Sequence, residues 1–284
     1  MELFGNEQFF LFESEGVCMK NIFIEGIQGM GKSTLLKWIE EAIPEIRVCR
    51  EGDYSPIDLA WCTWMTRKEY DDLLNQYESL RKDIVMNTIQ EQDHLIVTYT
   101  KIVTDVVEFY SSAEKYEIYN GRMSLQEFQN IIWTRYGRFF ESGYIFECSF
   151  FQNIIEDLIL FHQLSDDEIV GFYQELWQRI NRDKFLMFYL YSEKIEENII
   201  VIKEERSDDN GNPIWYQMML EYLINSPYGK AHQYKDFEDL TAHFRHRQNL
   251  EMRIIKEIIS DNAIILPAKE WNAGEVLAWI REKI

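Results

Sequence analysis

Eight residues near the start of the chain, Gly26-Ile27-Gln28-Gly29-Met30-Gly31-Lys32-Ser33, match the spacing G-x-x-x-x-G-K-S and stand between two strong local signals. The apolar run Ile22-Phe23-Ile24 before them reads as a strand. The stretch Thr34-Leu35-Leu36-Lys37-Trp38-Ile39-Glu40-Glu41 after them reads as an amphipathic helix. Glycines at this spacing let successive backbone N–H groups turn inward without a Cβ in the way. The helix that follows adds the favourable end of its dipole. The bland alternative is a glycine-rich turn that merely joins strand to helix.

With a strand before it and a helix after it, the pattern is that of a P-loop. Lys32 is spaced to reach terminal phosphates, and the Ser33 hydroxyl to hold a magnesium ion. Gly26, Gln28, Gly29, Met30, Gly31, Lys32, Ser33 and Thr34 are the expected nucleotide-binding residues, with ATP and Mg2+ as the expected cofactors.

The chain has 284 residues, enough to bury a large core as one domain or one domain with insertions. A hydrophobic content of 46% and an aromatic content of 15% exclude a disordered chain. The formal charge of -20 repels nucleic-acid phosphates and anionic membrane, so neither is an expected partner. Cys18, Cys49, Cys62 and Cys148 are scattered without a C-x-x-C pair, which suits thiols in or near the core in a reducing cytoplasm. No apolar run approaches the ~20 residues that span a bilayer.

Residues 1–18 read as an N-terminal extension or a start assigned too early, because Met19-Lys20 would serve as a start beside the first strand. Phe9, Phe10, Leu11 and Phe12 suit an edge strand or a surface segment equally. Residues 19–284 are expected to form a single domain. Alternating strand and helix signals along it imply an α/β P-loop NTPase fold, a parallel sheet with helices on both faces and helical insertions. Ile46-Arg47-Val48-Cys49 reads as the second strand, ended by Arg50-Glu51-Gly52-Asp53. A long helix is expected from Tyr70, Leu73, Leu74, Tyr77, Leu80, Ile84, Val85 and Ile89, and Leu95-Ile96-Val97-Thr98-Tyr99 reads as a strand. Ser124 caps a helix with Phe128, Ile131, Ile132, Tyr136 and Phe139 inward. Tyr144-Ile145-Phe146, Phe185 through Leu190 and Ala263-Ile264-Ile265-Leu266 complete the strands, and a helix through Val276, Leu277 and Ile280 closes the chain. Insertions are expected at about residues 100–142 and 150–183, and a lid at about 203–230.

Ligands of open parallel sheets bind at the carboxyl ends of the strands, which singles out Glu51, Asp53, Glu147 and, further on, Arg206. A phosphotransferase needs a carboxylate for the acceptor, one for magnesium, and cations against transition-state charge. The alternative for each carboxylate is a helix cap or a solvated charge.

Ile24-Glu25-Gly26-Ile27-Gln28-Gly29-Met30-Gly31-Lys32-Ser33-Thr34 resembles the opening of thymidylate kinases, I-E-G-x-D-G-x-G-K-S-T, and of the wider deoxynucleoside kinase group. Arg50-Glu51-Gly52 partly matches the thymidylate kinase motif T-R-E-P-G. In deoxynucleoside kinases the glutamate there serves as base and a following tryptophan lines the nucleoside pocket; Glu51 and Trp61 look similar at a different spacing. Phe146-Glu147-Cys148-Ser149 resembles the motif E-R-S or D-R-Y, with Cys148 where the family places an arginine. Glu205-Arg206 resembles the arginine-bearing lid, and Pro267-Ala268-Lys269 falls where such kinases line the adenine.

The resemblance implies ATP-dependent phosphoryl transfer to a small metabolite, a nucleoside or nucleotide. Lys32, Glu51 and Arg206 would be catalytic, and Ser33 and Glu147 would hold the metal. The alternative is a regulatory P-loop NTPase or nucleotide switch acting on a protein partner. A homodimer is compatible with either. His243 and His246 read as surface residues rather than metal ligands, and Arg245, Arg247 and Arg253 as a salt-bridged helix face rather than a phosphate contact. Trp61 and Trp64 read as core packing or an aromatic shelf for a base. Asp166-Asp167-Glu168 reads as a helix start after Ser165.

Overall fold

The computed structural model describes residues 19–208 and 210–283; Cys18, the Phe9–Phe12 stretch and Asp209 lie outside the described residues. In chain order the elements are β1 (Asn21–Glu25), α1 (Lys32–Ala42), β2 (Arg47–Cys49), β3 (Met65–Thr66), α2 (Arg67–Gln76), α3 (Arg81–Met86), β4 (Thr88–Glu91), β5 (His94–Val97), α4 (Val107–Glu114) and α5 (Leu125–Arg138). The remainder are β6 (Tyr144–Glu147), α6 (Gln152–Leu160), α7 (Asp166–Arg179), β7 (Phe185–Tyr191), α8 (Ile195–Glu205), α9 (Ile214–Asn225), α10 (Pro227–Ala231), α11 (Phe237–Ile254), β8 (Ala263–Pro267) and α12 (Ala273–Lys283).

A five-stranded parallel sheet in the order β2-β6-β1-β7-β8 organises the α/β architecture, flanked by helices. The runs NIFIE and FLMFYLY are apolar with little alternation because both of their faces are covered. Every residue of β1 is buried, and so is every residue of β7 before Tyr191. Phe23 stacks on Phe146 at 5.1 Å and on Phe185 at 4.3 Å between centroids, tying the three central strands together. Burying each ring contributes about 1.5–3 kcal/mol. Parallel order sends the carboxyl ends of β1, β6 and β2 to one edge of the sheet, so Glu25, Glu147 and Cys49 end neighbouring strands there.

The segment between β2 and β6 departs from the expectation. Instead of one long helix through Ile89, α2 ends at Gln76, a 3-10 turn spans Glu78–Leu80, and α3 ends at Met86. Ile89 lies in a strand and is exposed. The apolar spacing that continues a 3.6-residue stripe to Ile89 also fits the short extended run that follows α3. The strand expected at Leu95–Tyr99 stops at Val97 and belongs to a separate antiparallel sheet, β3-β5-β4, not to the parallel one. This sheet and its helices enclose a second apolar cluster with Tyr70, Leu73, Ile84, Val97 and Phe109 at its centre.

Helix starts follow the sequence closely. Ser124 and Ser165 each cap the next helix in a reciprocal box with Glu127 and Glu168. Of the residues expected inward on α5, Phe128, Ile132 and Tyr136 are buried, and Ile131 and Phe139 pack partly buried against the core. Among the described residues no helix is long and apolar enough to cross a membrane.

Candidate functional site

The chain leaves β1 at Glu25 and enters α1 at Lys32 through a loop whose glycines adopt left-handed backbone. Gly26 has φ 136°, and a Cβ on it would stand 2.6 Å from the Leu190 carbonyl oxygen of β7. Gly29 has φ 78°, and its Cβ would run into the Ile202 side chain of α8. Glycine is required at both positions for conformation and for space. Gly31 stands at the N-cap of α1, and no side chain caps that first turn. The helix therefore presents backbone donors at its start, the arrangement that attracts an anion.

Lys32 is buried and curls back over the loop, its amine donating to the carbonyls of Gly26 at 2.7 Å and Ile27 at 2.9 Å. Ser33 and Thr34 are exposed. The Ser33 hydroxyl donates to Glu147 Oε1 at 2.5 Å, joining the loop to the end of β6. Gln28 is half-buried, and its Oε1 has no hydrogen-bond partner. Met30 points into the core, with Asn198 Nδ2 at 3.7 Å from its sulfur, so only its backbone faces the loop.

Cys148, after Glu147, takes a left-handed backbone at φ 61° and is buried. Burial pushes its thiol well above the usual range against the pull of Lys32, with Glu51, Glu25 and Glu147 adding to the rise. Glu51 lies in the turn after β2, and its Oε1 accepts from Trp61 Nε1 at 3.0 Å and from Gln152 Nε2 at 3.1 Å. Trp61 thus meets Glu51 despite its unusual spacing. It is 45% exposed, so it is not a core residue. Trp64 stacks on His94 at 4.0 Å and packs partly buried against the core. Asp53 is bridged to Lys101.

Arg206 sits at the C-cap of α8 and is exposed, its guanidinium 5.6 Å over the Trp215 ring. It lies four residues, about one helical turn, beyond Ile202, which packs on Gly29. Lys269, in the loop after β8, has its Cγ 3.8 Å from the place a Gly31 Cβ would occupy.

His243 is a correction. It is not a surface residue but 1% exposed, with Nε2 at 2.7 Å from Glu156 Oε2. Arg247 is likewise fully buried, between Glu156 and Glu251. Residues 243, 247 and 251 recur every fourth position on the inner face of α11, a polar stripe that reads as solvent-facing in sequence. Arg245 and Arg253 do form the expected salt bridges, to Glu196 at 2.7 Å and to Asp167 at 2.8 Å. His246 meets Asp166 at 2.8 Å. Among the described residues, no group of three or more His, Cys, Asp or Glu could hold a metal ion.

Burial acts to raise the Glu156 carboxyl, but His243 and Arg247 outweigh it and hold it down at about 2. Glu25 is entirely buried and pushed up to about 8 by burial and by Glu251, against its hydrogen bond from Phe150 and the charge of Lys32. Glu25, Glu251 and Gln152 were not among the candidates from sequence. The available signal was Glu25 itself, an acid ending an otherwise apolar strand. No protein-family model matches this chain, and no curated protein is similar to it.

Proposed function

We propose that this chain has a P-loop nucleotide kinase fold and transfers the terminal phosphoryl group of ATP to a small hydroxylated metabolite of the nucleoside or nucleotide class. The observation that carries the reading is the Ser33–Glu147 hydrogen bond at 2.5 Å, beside a glycine loop that ends at an uncapped helix start. A hydroxyl and a carboxylate in contact form a hard-oxygen pair that suits Mg2+, which keeps water and phosphate oxygens in its other positions. When bound, Mg2+ would neutralise charge on the phosphates. The parallel sheet order β2-β6-β1-β7-β8, with the loop after the central strand, also supports the fold reading.

On this reading the backbone N–H groups of Gly29 through Ser33 surround the donor phosphates. Lys32 exchanges the Gly26 and Ile27 carbonyls for the transferring group. Glu51, held by Trp61 and Gln152, orients the acceptor hydroxyl and takes its proton. Arg206 approaches the phosphates if α8 and the segment after it close over Gly29.

The test is ADP release from MgATP with and without a panel of nucleosides, nucleoside monophosphates and other hydroxylated metabolites, using Lys32→Ala as the blank. Acceptor-dependent release that disappears in Lys32→Ala is the expected result. Release independent of every acceptor would favour a nucleotide switch. A Lys32→Ala protein with unchanged turnover would remove the assignment.

A further inference from the structure

Helix α5 presents two faces to the rest of the chain. Phe128, Ile132 and Tyr136 are buried in the core of the parallel sheet. Ile131, Thr134, Arg135 and Arg138 recur at three- and four-residue spacing on a neighbouring face, and they line a cavity of about 400 Å³. Tyr54 and Trp64, from the segment after β2, line it as well, and Glu91 comes from the end of β4 in the antiparallel sheet. A cavity of this volume, where two parts of a fold meet, is the usual size and place for a small ligand. It is separate from the glycine loop. No residue of that loop lines it, nor does Glu51 or Glu147. It reaches Phe139 and Glu141, which precede β6, so it extends to the amino edge of the parallel sheet rather than the carboxyl edge.

The polar groups of this cavity are held in place but not all used. Arg135 is only 4% exposed. Its Nη1 donates to Glu91 and its Nη2 to the Ser55 carbonyl at 2.5 Å, while its buried Nε–H has no partner. Buried donors are nearly always satisfied, so the spare one marks a place for an acceptor that the protein does not itself supply. Glu91 is already engaged, since it accepts the Tyr54 hydroxyl at 3.2 Å besides Arg135. Glu141 is held by Arg47 at 2.7 Å. Arg138 makes no ion pair among the described residues. Arg47, Arg135 and Arg138 against Glu91 and Glu141 leave one positive charge uncompensated, in a chain whose formal charge is -20. Trp64 adds a flat apolar wall, its ring fixed by stacking on His94 and lying 5.7 Å from the Arg135 guanidinium.

We propose that this cavity binds a small aromatic anion, a flat ring that lies against Trp64 and carries a carboxylate or phosphate for Arg138 and Arg135. Such a ligand supplies the three things the cavity lacks: an acceptor for the buried donor, a negative charge for Arg138, and apolar contact for Trp64, Ile131 and Phe139. The site does not depend on phosphoryl transfer at the glycine loop.

Calorimetric titration of the full-length chain with 1-naphthoate, 1-naphthyl phosphate and uncharged 1-naphthol tests this, because the three share one ring and differ in the head group. Both anions are expected to bind, the tighter one naming the head group, and naphthol at least about tenfold more weakly. Arg138→Gln should weaken both anions about tenfold and leave naphthol unchanged. Thr134→Trp fills the cavity from an exposed position on α5 and should abolish binding of all three. Lys32→Ala should bind 1-naphthoate as tightly as the wild type, which separates this cavity from the glycine loop. Binding of neither anion to the wild type, or naphthol binding as tightly as the anions, overturns the proposal. So does anion binding that survives Thr134→Trp or that is lost in Lys32→Ala. Should Thr134→Trp fail to fold, anion affinity unchanged in Arg138→Gln overturns it alone.

Discussion

Trp61 Nε1 donates to Glu51 Oε1 at 3.0 Å, so the exposed tryptophan of the loop after β2 fixes the carboxylate that the proposed function assigns to an acceptor. Gln152 supplies a second donor at 3.1 Å from the start of α6. Two donors keep the carboxylate oriented while leaving Oε2 to act on a proton.

Glu51→Gln should lower acceptor-dependent turnover about 10²–10⁴-fold, the usual worth of a positioned general base, with little change in MgATP affinity. Trp61→Phe removes one hydrogen bond and keeps the ring, so its loss should be near tenfold. Steady-state kinetics on both variants check this. Equal losses would mean that the carboxylate does no more than hold the loop.

Gly29 and Ile202 occupy one space, and this packing seats α8 on the loop. Gly29→Ala should destabilise the protein by about 2–4 kcal/mol, combining overpacking with the left-handed backbone at φ 78°. Adding Ile202→Ala relieves the overlap but not the backbone cost. In urea unfolding the double variant should be more stable than the sum of the single effects predicts.

What was legible in the sequence was whatever local chemistry enforces. The glycine loop, the strands Phe23 and Phe188 belong to, and the boxes at Ser124 and Ser165 all depend on residues within a few positions of one another. The separate antiparallel sheet was not legible, because Met65–Thr66 is too short to signal a strand and Ile89 fits two periodicities. The buried triad on α11 was hidden for another reason. His243, Arg247 and Glu251 look polar until Glu156 arrives from a distant segment to pair with them. Glu51 and Trp61 were paired through a family resemblance, while Gln152 carries no motif and is brought in by the turn between β6 and α6.

Arg247 has no exposure and lies between two buried carboxylates, with Glu156 and Glu251 both raising its affinity for its proton against the burial that lowers it. Arg247→Met should cost about 3–5 kcal/mol, because it strands buried negative charge. The triple variant Glu156→Gln/Arg247→Met/Glu251→Gln removes the charges together and should cost less than Arg247→Met alone. Chemical denaturation of the two proteins gives the comparison directly, and a triple variant less stable than the single one would show that the ion pairs themselves stabilise the fold.

The two extremes of carboxyl behaviour predict the shape of the pH–stability curve. Glu156 has its folded value lowered from 4.5 to about 2, so its contribution is present above 4.5 and is lost as pH falls toward about 2. Glu25 has the opposite sign, raised from 4.5 to about 8: its contribution is complete below 4.5 and is lost as pH rises through about 8. Between those values the unfolded chain has released the Glu25 proton and the folded chain has not, so stability declines with rising pH. Unfolding free energy should therefore peak in mildly acidic solution. Glu25→Gln should make the alkaline limb shallower, the remaining decline coming from Asp58 and Glu117, which burial raises to about 6 and about 7, and leave the acid limb unchanged, since Glu156 governs that side. Urea unfolding at a series of pH values measures both limbs, and an alkaline limb of unchanged slope in Glu25→Gln would assign the whole decline to other groups.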